Sequence, residues 1–393
     1  MSIDLRDDLL KVEAKTEQRL VKTRRELHER PELSLHEEHT ERYIARYLDR
    51  LPVDNLEIGV GGHGVVAEVK GKLPGRAVLV RADMDALPLD EATDLPFRSK
   101  NQGVMHACGH DVHMAIALEL ADSLAVNQDR LPGMIRFAFQ PAEETAGGAK
   151  PMIDAGVLEG IDRVVGLHVW SQLPVGKVSV RSGAMMASAD WFTLTVHGQG
   201  GHGAQPDRAI DAVVIAAQVI SALQTVVSRE TSPRDAVVVT LGSIHGGSAF
   251  NIIAGEVAIQ GTLRTFDASL RETLLRRIAE LARGTAEAMR GRCEFRLESA
   301  APPVVNDPAV SRLVAEAVQG VLGDDAVLPY EPLMVGEDFA YFLEQRSGCF
   351  FLLGGAPEGP PVMHHTPKFR IDERCLPIGL KAMSVAVLAL VQP

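Results

Sequence analysis

Cysteine, positive charge and long apolar runs are all scarce in this chain of 393 residues. The four cysteines, Cys108, Cys293, Cys349 and Cys375, are too few and too widely spaced for a disulfide framework, and they suit a reducing compartment. Forty basic against 52 acidic residues leave a net charge of −12, which argues against nucleic acid as a partner. The longest apolar stretches, residues 212–223 and 382–391, read as too short or too interrupted to span a bilayer. The first twenty residues are charged throughout and contain no apolar core, so no signal peptide is read. There is no internal repeat and no low-complexity segment. These absences predict a soluble cytoplasmic protein with neither nucleic acid nor membrane as its partner.

What is present is ordinary globular material, 46% hydrophobic and 23% charged, enough for two or three structural units. The first ~50 residues carry apolar positions at helical spacing, interrupted by Pro31. Short apolar strands then alternate with helical segments: strands at residues 77–80, 135–139 and 164–169, with a helix over 114–125 between them. That alternation predicts an α/β sheet covered by helices. After about Arg181 the pattern changes to strand 191–196, the turn HGQGGHG, helix 208–227, strands 236–241 and 256–263, and helix 269–290. Ser269 and Glu272 read as a capping box on that last helix. The pattern predicts an α/β domain of residues 1–183 and 300–393, interrupted by a smaller α+β domain over 184–299.

Polar residues cluster just past the strand ends. AVLVRA runs into Asp83 and Asp85, IRFAFQPA into Glu143 and Glu144, and RVVGL into His168. Ligands of open α/β sheets bind beyond the carboxyl ends of the strands. The densest segment is MHACGHDVH, with Cys108, His110 and two further histidines. On a helix Cys108 and His110 would point about 200° apart. In an extended chain, which Gly109 permits, they would face the same way. Thiolate, imidazole and carboxylate are metal-ligand types; the competing reading is a buried cysteine among surface histidines. Glu143 and Glu144 read either as a solvated acidic loop or as one metal ligand beside one general base. His364 and His365 are adjacent and rarely would both bind one ion.

Taken together, DMDALP, HACGHD, PAEE, GLHVW, GGHGAQP, GEDF and HHTPKF resemble the dinuclear metal amidohydrolases, the family of hippurate hydrolase, N-acyl-amino-acid amidohydrolase and the plant indoleacetyl-amino-acid hydrolases, related to aminoacylase and metal-dependent exo-carboxypeptidases. The motifs occur in order from the N-terminal helices to the last ~25 residues. The resemblance implies a mixed-sheet catalytic domain flanked by helices, with the inserted α+β sandwich as lid and dimer contact. It implies two divalent ions per subunit, zinc or manganese first and cobalt or nickel as alternatives. Cys108, His110, Glu144, His168 and His365 would hold them. Glu143 would be the general base, taking a proton from the attacking water and giving it to the leaving amine, and Asp85 would orient a ligand. His202 would reach into a partner subunit's site and stabilise the oxyanion. Asn251 and Arg264 would bind the substrate carboxylate, a role that suits arginine's forked donors. Many relatives have a ligating His where this chain has Asp83, and the resemblance leaves open whether Asp83 touches metal.

The implied activity is hydrolysis of the amide of an N-acyl (acetyl, benzoyl or arylacetyl) L-amino acid by a homodimer. A dipeptidase or exo-carboxypeptidase of the same fold is the nearest rival. A non-catalytic metal- or carboxylate-binding protein would have no use for Glu143. A cysteine hydrolase built on Cys108 would leave Glu143, Glu144, His168 and His365 without a role.

Overall fold

The computed structural model describes residues 2–393, with side chains from Leu5 onward. Its contacts divide the chain into two units. The first comprises the residues up to Gly183 together with Val305–Glu331 and Asp338–Pro393; the second comprises Ala184–Val304 with Pro332–Glu337. Compared with the expected 184–299, the second unit runs on to Val304 and takes in a later hexapeptide.

The chain opens with helices α1 (Ser2–Leu10), α2 (Ala14–His28) and α3 (Glu38–Leu48). Strands β1 (Asn55–Val60), β2 (Gly64–Lys70) and β3 (Leu73–Asp83) follow, then helix α4 (His110–Ala125), strand β4 (Pro132–Gln140), helix α5 (Ala149–Asp154) and strands β5 (Arg163–Pro174) and β6 (Val178–Ser179). After them come β7 (Gly183–Met186), β8 (Ala189–His197), β9 (Gly201–His202), α6 (Ala212–Glu230), β10 (Val237–Gly246), β11 (Ile252–Ile253), β12 (Glu256–Thr265), α7 (Ala268–Ala288) and β13 (Arg292–Ala301). The chain ends with β14 (Val304–Asn306), α8 (Pro308–Leu322), α9 (Ala340–Gln345), β15 (Ser347–Ala356) and α10 (Cys375–Leu390).

The first unit is built on a seven-stranded mixed sheet in the order β1-β2-β4-β3-β5-β15-β6. Its centre is parallel: β3 pairs in parallel with β4 and β5, and β5 with β15. Central parallel strands are buried on both faces, which explains the unbroken apolar runs VLV in β3 and CFFLL in β15. The parallel alignment also sends the carboxyl ends of β3, β4, β5 and β15 to one edge. Helix α4 is apolar nearly all round, and only Asp122 and Ser123 fall outside its buried set. Such a helix belongs inside a core.

The second unit is an antiparallel sheet in the order β10-β12-β8-β13, with α6 and α7 packed together against it. Phe192, Leu194 and Val196 of β8 alternate into a core shared with Ile215, Val219 and Leu223 of α6 and Leu274 and Ile278 of α7. Helix α6 is displaced from the expected 208–227: it starts at Ala212 and continues to Glu230, and at 19 residues it is long and apolar enough to cross a membrane by length and composition. Its buried stripe is taken up by its own unit's sheet. The expected capping box of α7 is not what caps it: Asp267 accepts the Leu270 N–H at 2.7 Å. The carboxylate lies two residues before Ser269 and holds the position that a serine hydroxyl would fill.

Candidate metal centre

The loops beyond the carboxyl edge of the first unit's sheet are tied to one another. Leu87, just after Asp85, bridges Met105, and His365 donates its N–H to the Ala107 carbonyl at 2.9 Å. The DMDALP, HACGHD and HHTP segments therefore converge through backbone bonds. Cys108 and His110 come together by a route other than an extended chain. Gly109 sits at φ 96°, and His110 is already the first residue of α4. A Cβ on Gly109 would lie 2.4 Å from Cγ1 of Val169, so only glycine fits both the left-handed turn and the close approach of β5.

The ligating atoms fall into overlapping triads. Cys108, His110 and His168 form one, Cys108, Glu144 and His365 a second, and His110, Glu143 and Glu144 a third, each with its atoms within 4.8 Å of one another. Cys108 Sγ is 3.3 Å from His168 Nε2, and His365 Nε2 is 3.4 Å from a Glu144 oxygen. All the residues expected from the first unit are thus brought into one place.

The imidazoles are oriented. His110 donates from Nδ1 to the Asp85 carbonyl at 2.9 Å, and His168 donates from Nδ1 to the Val169 carbonyl at 2.8 Å. Each therefore turns Nε2 inward. The Asp85 carboxylate accepts from Ser34 at 2.6 Å and from the Glu144 N–H at 3.0 Å, so Asp85 steadies both an imidazole and a carboxylate of the cluster. Ala142, directly before Glu143, has φ 53°, and His365 has φ 58°. Non-glycine residues held in this region mark sites where the surroundings impose the backbone.

A cation fits this donor set. The buried atoms His110 Nε2 and Glu144 Oε1 have no hydrogen-bond partner, an expensive condition for a protein to keep without a ligand. Burial works against a charged His110, yet Asp83, Asp85 and Glu144 outweigh it and lift the imidazole to about 10. Burial, aided by Asp85 and opposed by His110, lifts Glu144 to about 8. A site that clings to protons in this way is short of positive charge, which a divalent ion would supply in the proton's place.

Behind the cluster lies a layer of hydrogen-bonded side chains. Asp83 is hydrogen-bonded on both oxygens, and it also forms a further candidate triad with His110 and His113. One oxygen accepts from Arg81 at 2.5 Å and the other from His113 Nδ1 at 2.6 Å, while the Val169 N–H donates to His113 Nε2 at 2.8 Å. Arg81 also donates to Gln140 and Asp338, each at 2.9 Å. Of the late histidine pair, His364 is withdrawn: it stacks on Trp170 at 4.4 Å and accepts the Ser171 N–H at 3.1 Å. Sequence reasoning missed Glu37, which is fully buried and accepts the Ala142 N–H at 2.8 Å. It also missed Arg81, although an arginine inside an apolar strand two residues before Asp83 was a usable signal.

The remaining expected residues lie in the second unit. His202 on β9 pairs with Ile252 on β11, next to Asn251, whose carbonyl accepts the Gly203 N–H at 2.8 Å. Both side chains are exposed. Arg264 on β12 stands over the Trp191 ring at 5.3 Å and donates to the Ser188 carbonyl at 3.3 Å.

The family model of peptidases M20/M25/M40 matches residues 79–389. The chain belongs to this family. It is 41% identical over 379 residues to thermostable carboxypeptidase 1 of Saccharolobus solfataricus, with 94% of each chain covered. It is 44% identical over 296 residues to an N-acyl-L-amino acid amidohydrolase of Geobacillus stearothermophilus, covering 75% of this chain and 79% of that one. A solved Bacillus subtilis structure, described as a dinuclear metal-binding peptidase of the same family, superposes with a TM-score of 0.83 at 34% identity, covering 96% of this chain and 99% of that one. The protein is a hydrolase acting on amides.

Proposed function

We propose that this hydrolase cleaves the amide bond of N-acyl L-amino acids, with two divalent ions, zinc or manganese first, at the Cys108 cluster. The observation that carries the reading is the set of overlapping triads over Cys108, His110, Glu144, His168 and His365, with Glu143 at their rim. When bound, the ions supply Lewis acidity to the amide carbonyl and an acidified water. Glu143, whose side chain is 10% exposed, is the base that takes the water's proton and returns it to the leaving amine. Asp85 holds His110 and Glu144 in their working orientation. In the inserted unit, which serves as lid, Asn251 and Arg264 take the substrate carboxylate, and His202 stabilises the oxyanion of a partner subunit's site.

A dimer is supported by apolar surface left open on the second unit. Val213 and Val214 of α6 and Ile244 of the edge strand β10 are each about half exposed. The four cysteines are all free, as a thiolate donor in a cytoplasmic enzyme requires. The relatives include a carboxypeptidase as well as an N-acyl-L-amino acid amidohydrolase, which supports carboxypeptidase activity as the second reading.

The test is turnover of N-acetyl, N-benzoyl and indoleacetyl amino acids beside dipeptides, on protein stripped by a chelator and then reconstituted. Activity should vanish on stripping and return with divalent metal, with the acyl compounds preferred. Full activity in protein shown metal-free by elemental analysis overturns the reading. Preference for dipeptides selects the carboxypeptidase alternative. For the contribution in trans, His202→Ala and Glu143→Gln proteins are mixed under verified subunit exchange. Activity should return, because a mixed dimer has one intact site; no return refutes that role of His202.

A further inference from the structure

Away from the metal cluster, α2 and α3 enclose a cavity of about 430 Å³ whose lining includes Lys22, Arg42, Arg46, Arg50, Tyr43 and Tyr47. Four bases in one groove stand out in a chain of net charge −12. A single carboxylate, Glu26, lines the same cavity; it accepts from the Tyr43 hydroxyl at 2.7 Å and lies 3.8 Å from Lys22. Arg42 has an exposed partner in Glu38 at 3.7 Å, whereas Arg46 and Arg50 have no acidic partner among the described residues.

The spacing sharpens the point. Arg42, Arg46 and Arg50 follow one another at four-residue intervals, so they stack along one face of α3 and its end. Like charges so placed repel and destabilise a helix. The dipole at the helix's C-terminal end favours Arg46 and Arg50, but it explains neither Arg42 in the middle nor Lys22 arriving from α2. The positive field reaches a neighbour in the same cavity: burial is the first cause that lowers His39, and Arg30, Arg42 and Arg46 add to it against Glu32.

We propose that this groove binds a small organic anion carrying two or more phosphate groups. Guanidinium groups match phosphate oxygens through paired, charge-assisted donors. Four bases suit more than one phosphate. The half-buried rings of Tyr43 and Tyr47 line the remaining space with flat, amphipathic surface. The volume exceeds what a lone tetrahedral anion fills and suits a nucleoside diphosphate.

The test is calorimetric titration of the metal-loaded enzyme with ADP and, separately, inorganic pyrophosphate, in about 150 mM salt, where long-range steering is screened. Sulfate at equal ionic strength is the control. Both phosphate ligands should bind and sulfate should not compete. The Arg46→Ala/Arg50→Ala double variant should weaken binding by at least about tenfold, and Arg46→Lys/Arg50→Lys, which keeps the charge but loses the paired donors, should fall between that variant and the wild type. Both arginines are exposed, and circular dichroism verifies that the variants fold. No binding at millimolar ligand overturns the proposal. So does equal competition by sulfate, which marks an adventitious ion only. Binding undiminished in the alanine variant also overturns it, because the anion then sits elsewhere, as on the metal ions.

Discussion

Buried histidines of the first unit differ in how their ring nitrogens are partnered. His28 and His113 have both ring nitrogens engaged: His28 with Asp111 at 2.8 Å and Glu91 at 3.3 Å, His113 with Asp83 and the Val169 N–H. His110 is as deeply buried, yet its Nε2 has no hydrogen-bond partner. A satisfied buried polar group is support, whereas an orphaned one aimed at other donors waits for a ligand. Partnering counts only together with position: His106 is also buried with both ring nitrogens unpartnered, but among the described residues it stands in none of the candidate ligand groups.

The strongest break in that comparison comes at Glu143. Glu143→Gln should keep the metal while kcat falls by about 10²–10⁴-fold. Elemental analysis beside steady-state kinetics decides it, and a drop under about tenfold with metal intact would return Glu143 to the solvated-loop reading. Next comes the supporting layer. Arg24 is buried against Asp111 at 2.8 Å and also reaches Glu373. Arg24→Met leaves Asp111 buried beside a neutral chain and should cost about 3–5 kcal/mol in urea unfolding. A loss below about 1 kcal/mol would mean that this layer bears little weight.

His113→Phe sharpens the distinction between holding and using. If His113 only fixes Asp83, metal stoichiometry stays the same and affinity falls about 10–100-fold in competition with a chromophoric chelator. Loss of one ion per subunit would make His113 a ligand.

The smallest effect concerns Glu37. Burial, followed by the Asp85 carboxylate, raises it from 4.5 to about 7. The folded chain therefore holds a proton that the unfolded chain releases, so this contribution to stability is complete below pH 4.5 and is lost as pH rises through 7. In metal-free protein, Glu37→Gln should gain on the wild type between pH 5 and 8, by an amount of order 1 kcal/mol. Parallel melting curves across that range would show that Glu37 does not titrate there.

The strands were legible because those at the centre of a parallel sheet must be apolar on both faces, as VLV and CFFLL are. The cluster was legible because metal-ligand residue types gather in the motifs at and beyond the carboxyl ends of those strands, with Glu143 and Glu144 soon after β4 and His168 within β5. The supporting layer was not. Arg24 and Asp111 are 87 residues apart, and Glu37 meets Ala142 across 105. No local pattern encodes such pairs. Backbone angles were also hidden: nothing in HHTP tells that His365 takes a positive φ, and the αL turn at Gly109 was read as extended chain. Asp267 outcompeted Ser269 as a cap because a carboxylate two residues earlier reached the open N–H first.

Strand order has a consequence for synthesis. β15 occupies the slot between β5 and β6, yet roughly 170 residues separate it in the chain from the end of β5. At about 5–20 residues per second, the ribosome leaves that slot open for some 10–30 seconds. During that interval the inserted unit can fold on its own core, while the apolar edge of β5 is exposed and available to pair with another nascent chain. Newly made protein of this architecture should therefore need chaperone cover until its last fifty residues emerge, and the candidate metal cluster is incomplete before then, because His365 arrives with them.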